Sequence, residues 1–297
     1  MKKSVSLLLA GLMLCGALTG CGGNNSTAEN TDSQTAESTT GTSGAIYVVS
    51  REDGSGTRGA FVELTGVEDD NGDNTTVEAE IANRTDAVLT TVAGNEAAIG
   101  YISLGSLNET VKAVTVDGVE ATVDNVKSGD YKLSRPFNIA TKGEPTGVAA
   151  DFINFIMSAD GQAIVEEEGY ITVNDAAEAF TSDGSSGQIA VGGSSSVSPV
   201  MEKLIEAYKA VNPNAQIELQ TSDSTSGMTG AMDGTFAIGM ASRELKDEEA
   251  AELNGQAIAM DGIAVIVNNA NTVENLAMDQ IRSIYVGETT DWADVAA

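Results

Sequence analysis

Four times in this chain an apolar run of strand length ends in a cluster of serine, threonine or glycine. The first, Ala45–Val49, ends in Arg51-Glu52-Asp53-Gly54-Ser55-Gly56-Thr57-Arg58, and Gly59–Leu64 then reads as the start of a helix. The second, Gln188–Val191, runs into Gly192-Gly193-Ser194-Ser195-Ser196-Val197-Ser198-Pro199-Val200 and an amphipathic helical pattern over Met201–Val211. Ile217–Gln220 ends in Thr221-Ser222-Asp223-Ser224-Thr225-Ser226-Gly227, and Phe236–Met240 ends in Ala241-Ser242-Arg243. A strand, a glycine turn and a helix in that order aim free backbone N–H groups and the positive end of a helix dipole at one point. Arg51 adds a fork of donors, and the serines and threonines add hydroxyls. Ligands of open α/β sheets gather at the carboxyl ends of strands. Each cluster alone equally fits a helix cap, a polar loop or a surface Arg–Asp pair. Together they point to a shared site for a small oxyanion.

Between these clusters strand and helix patterns alternate, which predicts an α/β fold. Asp86–Ala93 reads as helix, Ala97–Ile102 as strand, and Val111–Val123 as a hairpin about Asp117-Gly118. Arg135-Pro136 leads into a candidate crossing strand, Phe137–Ala140. Helical spacing follows over 149–157 and 161–168, then a polar linker at 181–187.

A chain of 297 residues with 41% hydrophobic content can bury a large core, divided here into two lobes. Its net charge of −29, from 44 acidic and 15 basic residues, argues against nucleic acid as a partner. The same charge opposes long-range attraction of an anion, so local donors must do the binding. The chain has no histidine, which removes imidazole acid–base chemistry and most zinc or haem sites. No carboxylate cluster has metal-ligand spacing and no phosphate-binding Gly-x-x-x-x-Gly-Lys loop is present, so neither a metal nor a cofactor is expected.

Residues 1–20 have the build of a signal segment. Lys2 and Lys3 precede a short apolar run, Val5–Ala17, and then Leu18-Thr19-Gly20-Cys21. These last four resemble a bacterial lipobox, with Cys21 as the lipidated first residue of the mature chain; a plain signal peptide or a membrane helix are the other readings, and the run is short for a span. Loss of Cys15 with the signal and acylation of Cys21 would leave no disulfide. Residues 21–44 are polar and small, a disordered tether whose ends would lie ~25–30 Å apart on average.

Gly193–Val200, Thr225-Ser226-Gly227, Ile238–Leu245 and Arg51–Arg58 together resemble the phosphate-binding proteins of bacterial phosphate ABC transporters. Asp261–Val267, Ile284–Gly287 and Asp291-Trp292 also look like segments of that family, and the resemblance covers nearly all of 45–297. It implies a two-lobed, periplasmic-binding-protein-like clamshell of type II character. The order departs from the family's, in which the Gly-Ser-Ser segment precedes the Arg-x-Asp-Gly-Ser-Gly-Thr segment. The chain therefore looks circularly permuted, or else is a fragment of a tandem duplication. One lobe would be 45–135 plus 259–297 and the other 136–258, with crossings near 135–140 and 257–262.

Carried over by position, the phosphate contacts would be Arg51, Ser55, Gly56 and Thr57 from one lobe and Ser195, Ser196, Thr225 and Ser226 from the other. Asp53, near Gly54, would orient Arg51, and Gly227 would support the second loop. Ser242 stands where some members carry the aspartate that accepts the proton of hydrogen phosphate. The resemblance implies a monomeric, lipid-anchored receptor at the outer face of the cell membrane that hands inorganic phosphate to a membrane permease, without catalysis. A receptor for sulfate or molybdate, a surface phosphatase using Ser55, and a non-transporting phosphate sensor are the alternatives. A phosphatase would need a lysine or carboxylate base beside Ser55.

Overall fold

The computed structural model describes residues 42–295. The expected signal segment, Cys21 and most of the expected tether lie outside the described residues. β1 (Tyr47–Arg51) leads into α1 (Gly56–Thr65), two short strands β2 (Glu68–Asp69) and β3 (Gly72–Asp73), then β4 (Glu80–Ala82), α2 (Thr85–Gly94) and β5 (Ala98–Ser103). A 3-10 turn, Leu104–Ser106, precedes β6 (Val111–Ala113), β7 (Thr115–Val116), α3 (Val123–Ser128) and β8 (Ser134–Thr141). Two helices follow, α4 (Val148–Ile156) and α5 (Ala159–Glu167), then β9 (Gly187–Ser194), α6 (Ser198–Val211), β10 (Ala215–Ser222), α7 (Ser224–Asp233) and β11 (Ile238–Ala241). The last elements are α8 (Asp247–Ala250), β12 (Asn254–Asn268), β13 (Asn275–Leu276) and α9 (Met278–Tyr285).

The main sheet has the order β10-β9-β11-β8-β12-β5-β1-β4, with β6 also on β12. The long strand β12 joins its two parts. Asn254–Gly262 pairs antiparallel with β8, and Ile263–Val267 pairs antiparallel with β5. Successive strand residues point to opposite faces. Ile263, Val265 and Val267 accordingly enter one core with Phe61, Tyr101 and Trp292, while Ala264 and Ile266 enter another with Val88 and Ile102. On the other side of the crossing, Ile139, Met240, Leu204 and Tyr208 share a core, and Ala140, Met228 and Ala241 form a smaller one on the opposite face.

Local sequence explains most element boundaries. α6 carries Pro199 in its first turn, where the missing N–H costs nothing. Its buried side chains Val200, Met201, Leu204, Ile205 and Tyr208 recur at helical spacing. Gly66 ends α1 at φ 71°, in the left-handed region that glycine enters freely. The expected hairpin at 111–123 is present only as its closing pair, Val116 and Val119, which exchange both backbone hydrogen bonds at 2.9 Å. Asp117 and Gly118 make the turn with φ of 52° and 78°, but β6 pairs with β12 and β7 with β13. Beyond that closing pair the second arm continues into α3, which begins at Val123.

The two ends of the described chain meet. Ala45 bridges Asp291, the Ile46 N–H donates to the Thr290 carbonyl at 2.8 Å, and the Trp292 N–H donates to the Gly44 carbonyl at 3.0 Å. On the other side of the molecule Asp151 of α4 holds the linker that precedes β9. Its carboxylate accepts from Ser182 Oγ at 2.7 Å, the Asp183 N–H at 3.0 Å and Tyr208 Oη at 2.8 Å.

Candidate functional site: a buried hydroxyl cluster at helix N-termini

Four helix N-termini supply one cluster of polar side chains. α1 contributes Thr57, α2 contributes Thr85, the turn before α6 contributes Ser194, Ser195 and Ser196, and α7 contributes Ser224. Thr57 Oγ1 lies 2.8 Å from Ser196 Oγ. Thr85 Oγ1 lies 3.4 Å from Ser196 Oγ and 3.5 Å from Ser195 Oγ. Ser194 Oγ donates to Ser242 Oγ at 2.9 Å, and the Ser242 N–H donates to Ser224 Oγ at 3.0 Å. All these residues are buried. The apolar residues of α1 and α2 belong to cores different from those of α6 and α7, so the cluster spans two parts of the molecule. Gly56 permits the approach: a Cβ there would collide with Ser224 Oγ and lie 2.8 Å from Ser242 Oγ.

Arg51, the last residue of β1, enters this cluster at 2% exposure. Its backbone N–H donates to Tyr101 Oη at 3.2 Å, and that hydroxyl lies 2.8 Å from Ser50 Oγ. Burial pushes the Tyr101 phenol up to about 12, against the opposing hydrogen bond from Ser50, so it remains a neutral hydrogen-bonding group. The guanidinium of Arg51 grips Glu52 through Nε and Nη2, each at 2.8 Å, and Nη2 also donates to Ser195 Oγ at 3.1 Å. Nη1 is buried with no hydrogen-bond partner among the described residues. A buried N–H left unpaired is costly, and here it lies in a group that carries a full positive charge. Hydroxyls, helix N-termini and an incompletely paired guanidinium form a surrounding suited to an oxyanion.

Comparison with known proteins shows the family and the fold. A family model described as the PBP superfamily domain matches residues 25–160 and 178–297. Phosphate-binding protein PstS 2 of Streptococcus agalactiae serotype V is 48% identical over 302 residues, spanning 99% of this chain and 98% of that protein. This chain belongs to the PstS family. Phosphate-binding protein PstS 2 of Streptococcus pneumoniae serotype 4 is 44% identical over 297 residues, covering 98% of this chain and 99% of the relative. The crystal structure of a phosphate-binding protein of a phosphate ABC transporter from Streptococcus pneumoniae TIGR4 superposes with a TM-score of 0.70 at 46% identity. That match covers 85% of this chain and all (100%) of the other. The fold is thus the mixed α/β fold of periplasmic-binding-protein-like domains.

Within this PstS-family chain several residues sit differently from expectation. Asp53 does not orient Arg51: it is 98% exposed and pairs with Arg58 Nη1 at 2.9 Å. Glu52 takes that role, because its longer side chain follows the end of β1 and folds back on the guanidinium, whereas Asp53 already lies in the outward turn. Ser226 is also displaced from the cluster. It is exposed, and its Oγ and N–H both donate to Asp223, the N-cap of α7, at 2.5 and 2.8 Å. Thr225 lies at the rim, its N–H and Oγ1 donating to the Gly54 carbonyl at 3.1 and 3.3 Å, with Arg243 Nη2 donating to its hydroxyl at 3.3 Å.

Ser55 caps α1 by accepting from the Arg58 N–H at 3.3 Å. Gly54 adopts φ +86°, where a Cβ would lie 2.6 Å from Asp223 Oδ1. Gly227 serves packing: a Cβ there would lie 2.7 Å from both Gly193 Cα and the Met240 carbonyl oxygen. Ser224, Ser194 and Thr85 were missed by the sequence reading. Asp223 is a strong N-cap type, a signal that would have made Ser224 the first helical residue and turned it toward the site.

Proposed function

We propose that this chain binds inorganic phosphate between two lobes and delivers it to an ABC-type permease at the outer face of the cell membrane. The observation that carries this reading is Arg51: a buried guanidinium with Nη1 unpaired among the described residues, set among hydroxyls at four helix N-termini. The names of the relatives, phosphate-binding proteins, support the same ligand. The lobes would be 45–135 with 259–297, and 136–258. β8 and β12 would be the two crossings. Thr57, Gly56 and Arg51 come from the first lobe and Ser195, Ser196, Ser224 and Ser242 from the second, so an anion touching both sets stabilises the closed form. Ser55 and Thr225 border this set, and Ser226 belongs to it only by sequence position.

The anchor would be a lipid on Cys21, followed by the tether, with the chain acting as a monomer. Among the described residues no helix is long and apolar enough to cross a membrane. The bridged ends and the shared sheet of β1, β5 and β12 support a circular permutation. The engagement of Ser55 as a helix cap supports binding in preference to nucleophilic catalysis. Calorimetry of the chain with phosphate, arsenate, sulfate and molybdate tests the reading. Tight phosphate binding is expected; exclusive sulfate or molybdate binding would replace the ligand, and phosphate release from a monoester would replace the function. Ser242, a hydroxyl that can donate as well as accept, gives sulfate its place in that comparison.

A further inference from the structure

A second guanidinium lies behind the wall of the cleft beside the hydroxyl cluster. Arg135 and Asp261 face each other in register on β8 and β12, where β12 passes from β8 to β5. Their side chains are 1% and 0% exposed. Asp261 Oδ2 accepts from Arg135 Nε at 3.2 Å and Nη2 at 3.1 Å, and its Oδ1 accepts from Ser103 Oγ at 2.9 Å. Arg135 Nη1 is buried with no hydrogen-bond partner among the described residues, and so are Tyr170 Oη and Ser106 Oγ. Gly105 and Ser106 line a cleft of about 410 Å³ that Thr85 and Ser195 also line. A Cβ on Gly105 would lie 2.6 Å from Tyr170 Oη, so that unpaired hydroxyl stands directly behind the wall, and Ser103, which donates to Asp261, immediately precedes the turn that carries Gly105 and Ser106.

Two arginines of this fold therefore share one unusual property. Each is at least nine-tenths buried, each is held by one carboxylate, and each leaves Nη1 unpaired among the described residues. Arg51 also acts on Arg135: burial holds the Arg135 pKa below its ordinary value, Asp261 opposes this, and the charge of Arg51 adds to the lowering. Repulsion between like charges is strong where little water screens it. An anion in the cluster offsets that repulsion. We propose that Arg135 is a positioning residue for the anion, held rigid by Asp261 at the crossing of the two lobes, and that its charge strengthens binding from behind the groups that touch the ligand. The proposal rests on the anion-binding reading above and assigns a role to a residue outside the hydroxyl cluster.

The test is titration calorimetry of the full chain with inorganic phosphate at pH 8, with thermal unfolding measured in parallel. Arg135→Gln is expected to weaken binding roughly tenfold or more, the scale of one poorly screened charge. Arg135→Lys keeps the charge and is expected to restore most of that loss. Asp261→Asn removes the opposing charge and is expected to leave binding as tight as in the parent or tighter. A purely structural pair behaves otherwise: both partners' substitutions weaken binding together, in step with stability, and lysine gives no rescue. That result overturns the proposal, as does unchanged affinity in Arg135→Gln. If Asp261→Asn does not fold, the contrast between lysine and glutamine at Arg135 decides. Arg51→Ala separates the two levels. A parent chain that binds no phosphate removes the functional reading and this proposal with it. A parent that binds, with binding lost in Arg51→Ala and a structural pattern at Arg135, removes only the role of Arg135.

Discussion

At Arg51 a positive charge is held at 2% exposure, and Glu52 balances it through two contacts of 2.8 Å. Truncation removes the fork and strands Glu52. Arg51→Ala is therefore expected to weaken phosphate binding by about 2–5 kcal/mol, the range for breaking a buried, hydrogen-bonded charge pair. Arg51→Lys is also expected to weaken it, since a point charge cannot reproduce the planar fork. Both are read by calorimetry, and an Ala variant that binds like the parent would put the site elsewhere. Gly56 makes a second, steric prediction. Its missing Cβ is what lets Ser224 and Ser242 approach α1, so Gly56→Ala should push the two sets of hydroxyls apart. Phosphate affinity should fall by about tenfold or more, and the thermal midpoint should fall as well, because the added methyl meets Ser224 Cβ at 3.1 Å besides the buried hydroxyls.

Among the elements, the contact between α4, α6 and the linker 181–187 rests on Asp151, itself 3% exposed. Burial raises its pKa, but hydrogen bonds from the Asp183 N–H, Ser182, Tyr208 and Asn212 outweigh that and hold the carboxyl below the usual aspartate value. A depressed folded pKa contributes stability above the unfolded value of about 3.9, lost as pH falls through the folded value. Thermal unfolding of the parent should therefore weaken below about pH 4. Asp151→Asn should cost about 1–3 kcal/mol at neutral pH, the penalty for unsettling a buried polar network, and should flatten that part of the acid limb. An unchanged acid limb in the Asn variant would mean that another carboxylate sets it. The linker is thus a tied segment, although its composition of threonine, serine, aspartate and glycine reads as a free one.

On the scale of the whole molecule, a chain of net charge −29 carries the proposed anion site. The donors lie within hydrogen-bonding reach and are shielded from solvent, whereas exposed charges are screened over ~8–10 Å. Phosphate affinity should accordingly change little between low and moderate sodium chloride, and a steep loss would indicate a shallow surface site. The meeting of the chain ends makes the other prediction at this scale. Trp292 packs into the core of β1 and α1, and its Nε1–H donates to the Ala97 carbonyl at 2.9 Å. Trp292→Ala should cost about 3–5 kcal/mol of stability, as large aromatic truncations do, while the phosphate affinity of the folded protein stays close to the parent's. Denaturant melts and calorimetry on the same variant check the two halves of that statement.

The local pattern of residues determined the α/β class and the strand ends that carry hydroxyls, since period, turn residues and helix starts are properties of neighbouring positions. The clusters that hold Arg51, Thr57, Ser195, Ser196 and Ser242 were legible in this way, whereas the choice of single residues within them, Gly56 included, came from the family resemblance. What the tertiary structure decided was direction and partnership. A helix turns its side chains by about 100° per residue, so the start of α7 at Ser224 sends that hydroxyl inward and leaves Ser226 in solvent, a distinction that composition cannot make. Glu52 instead of Asp53 reaches Arg51 because of where β1 ends. Arg51 meets Ser195 across 144 residues, Thr57 meets Ser196 across 139, and Arg135 meets Asp261 across 126. No local pattern encodes such pairs. They exist because β12 runs through both parts of the sheet and brings distant strand ends to one place, where burial makes each unpaired polar atom expensive and so selects its partner.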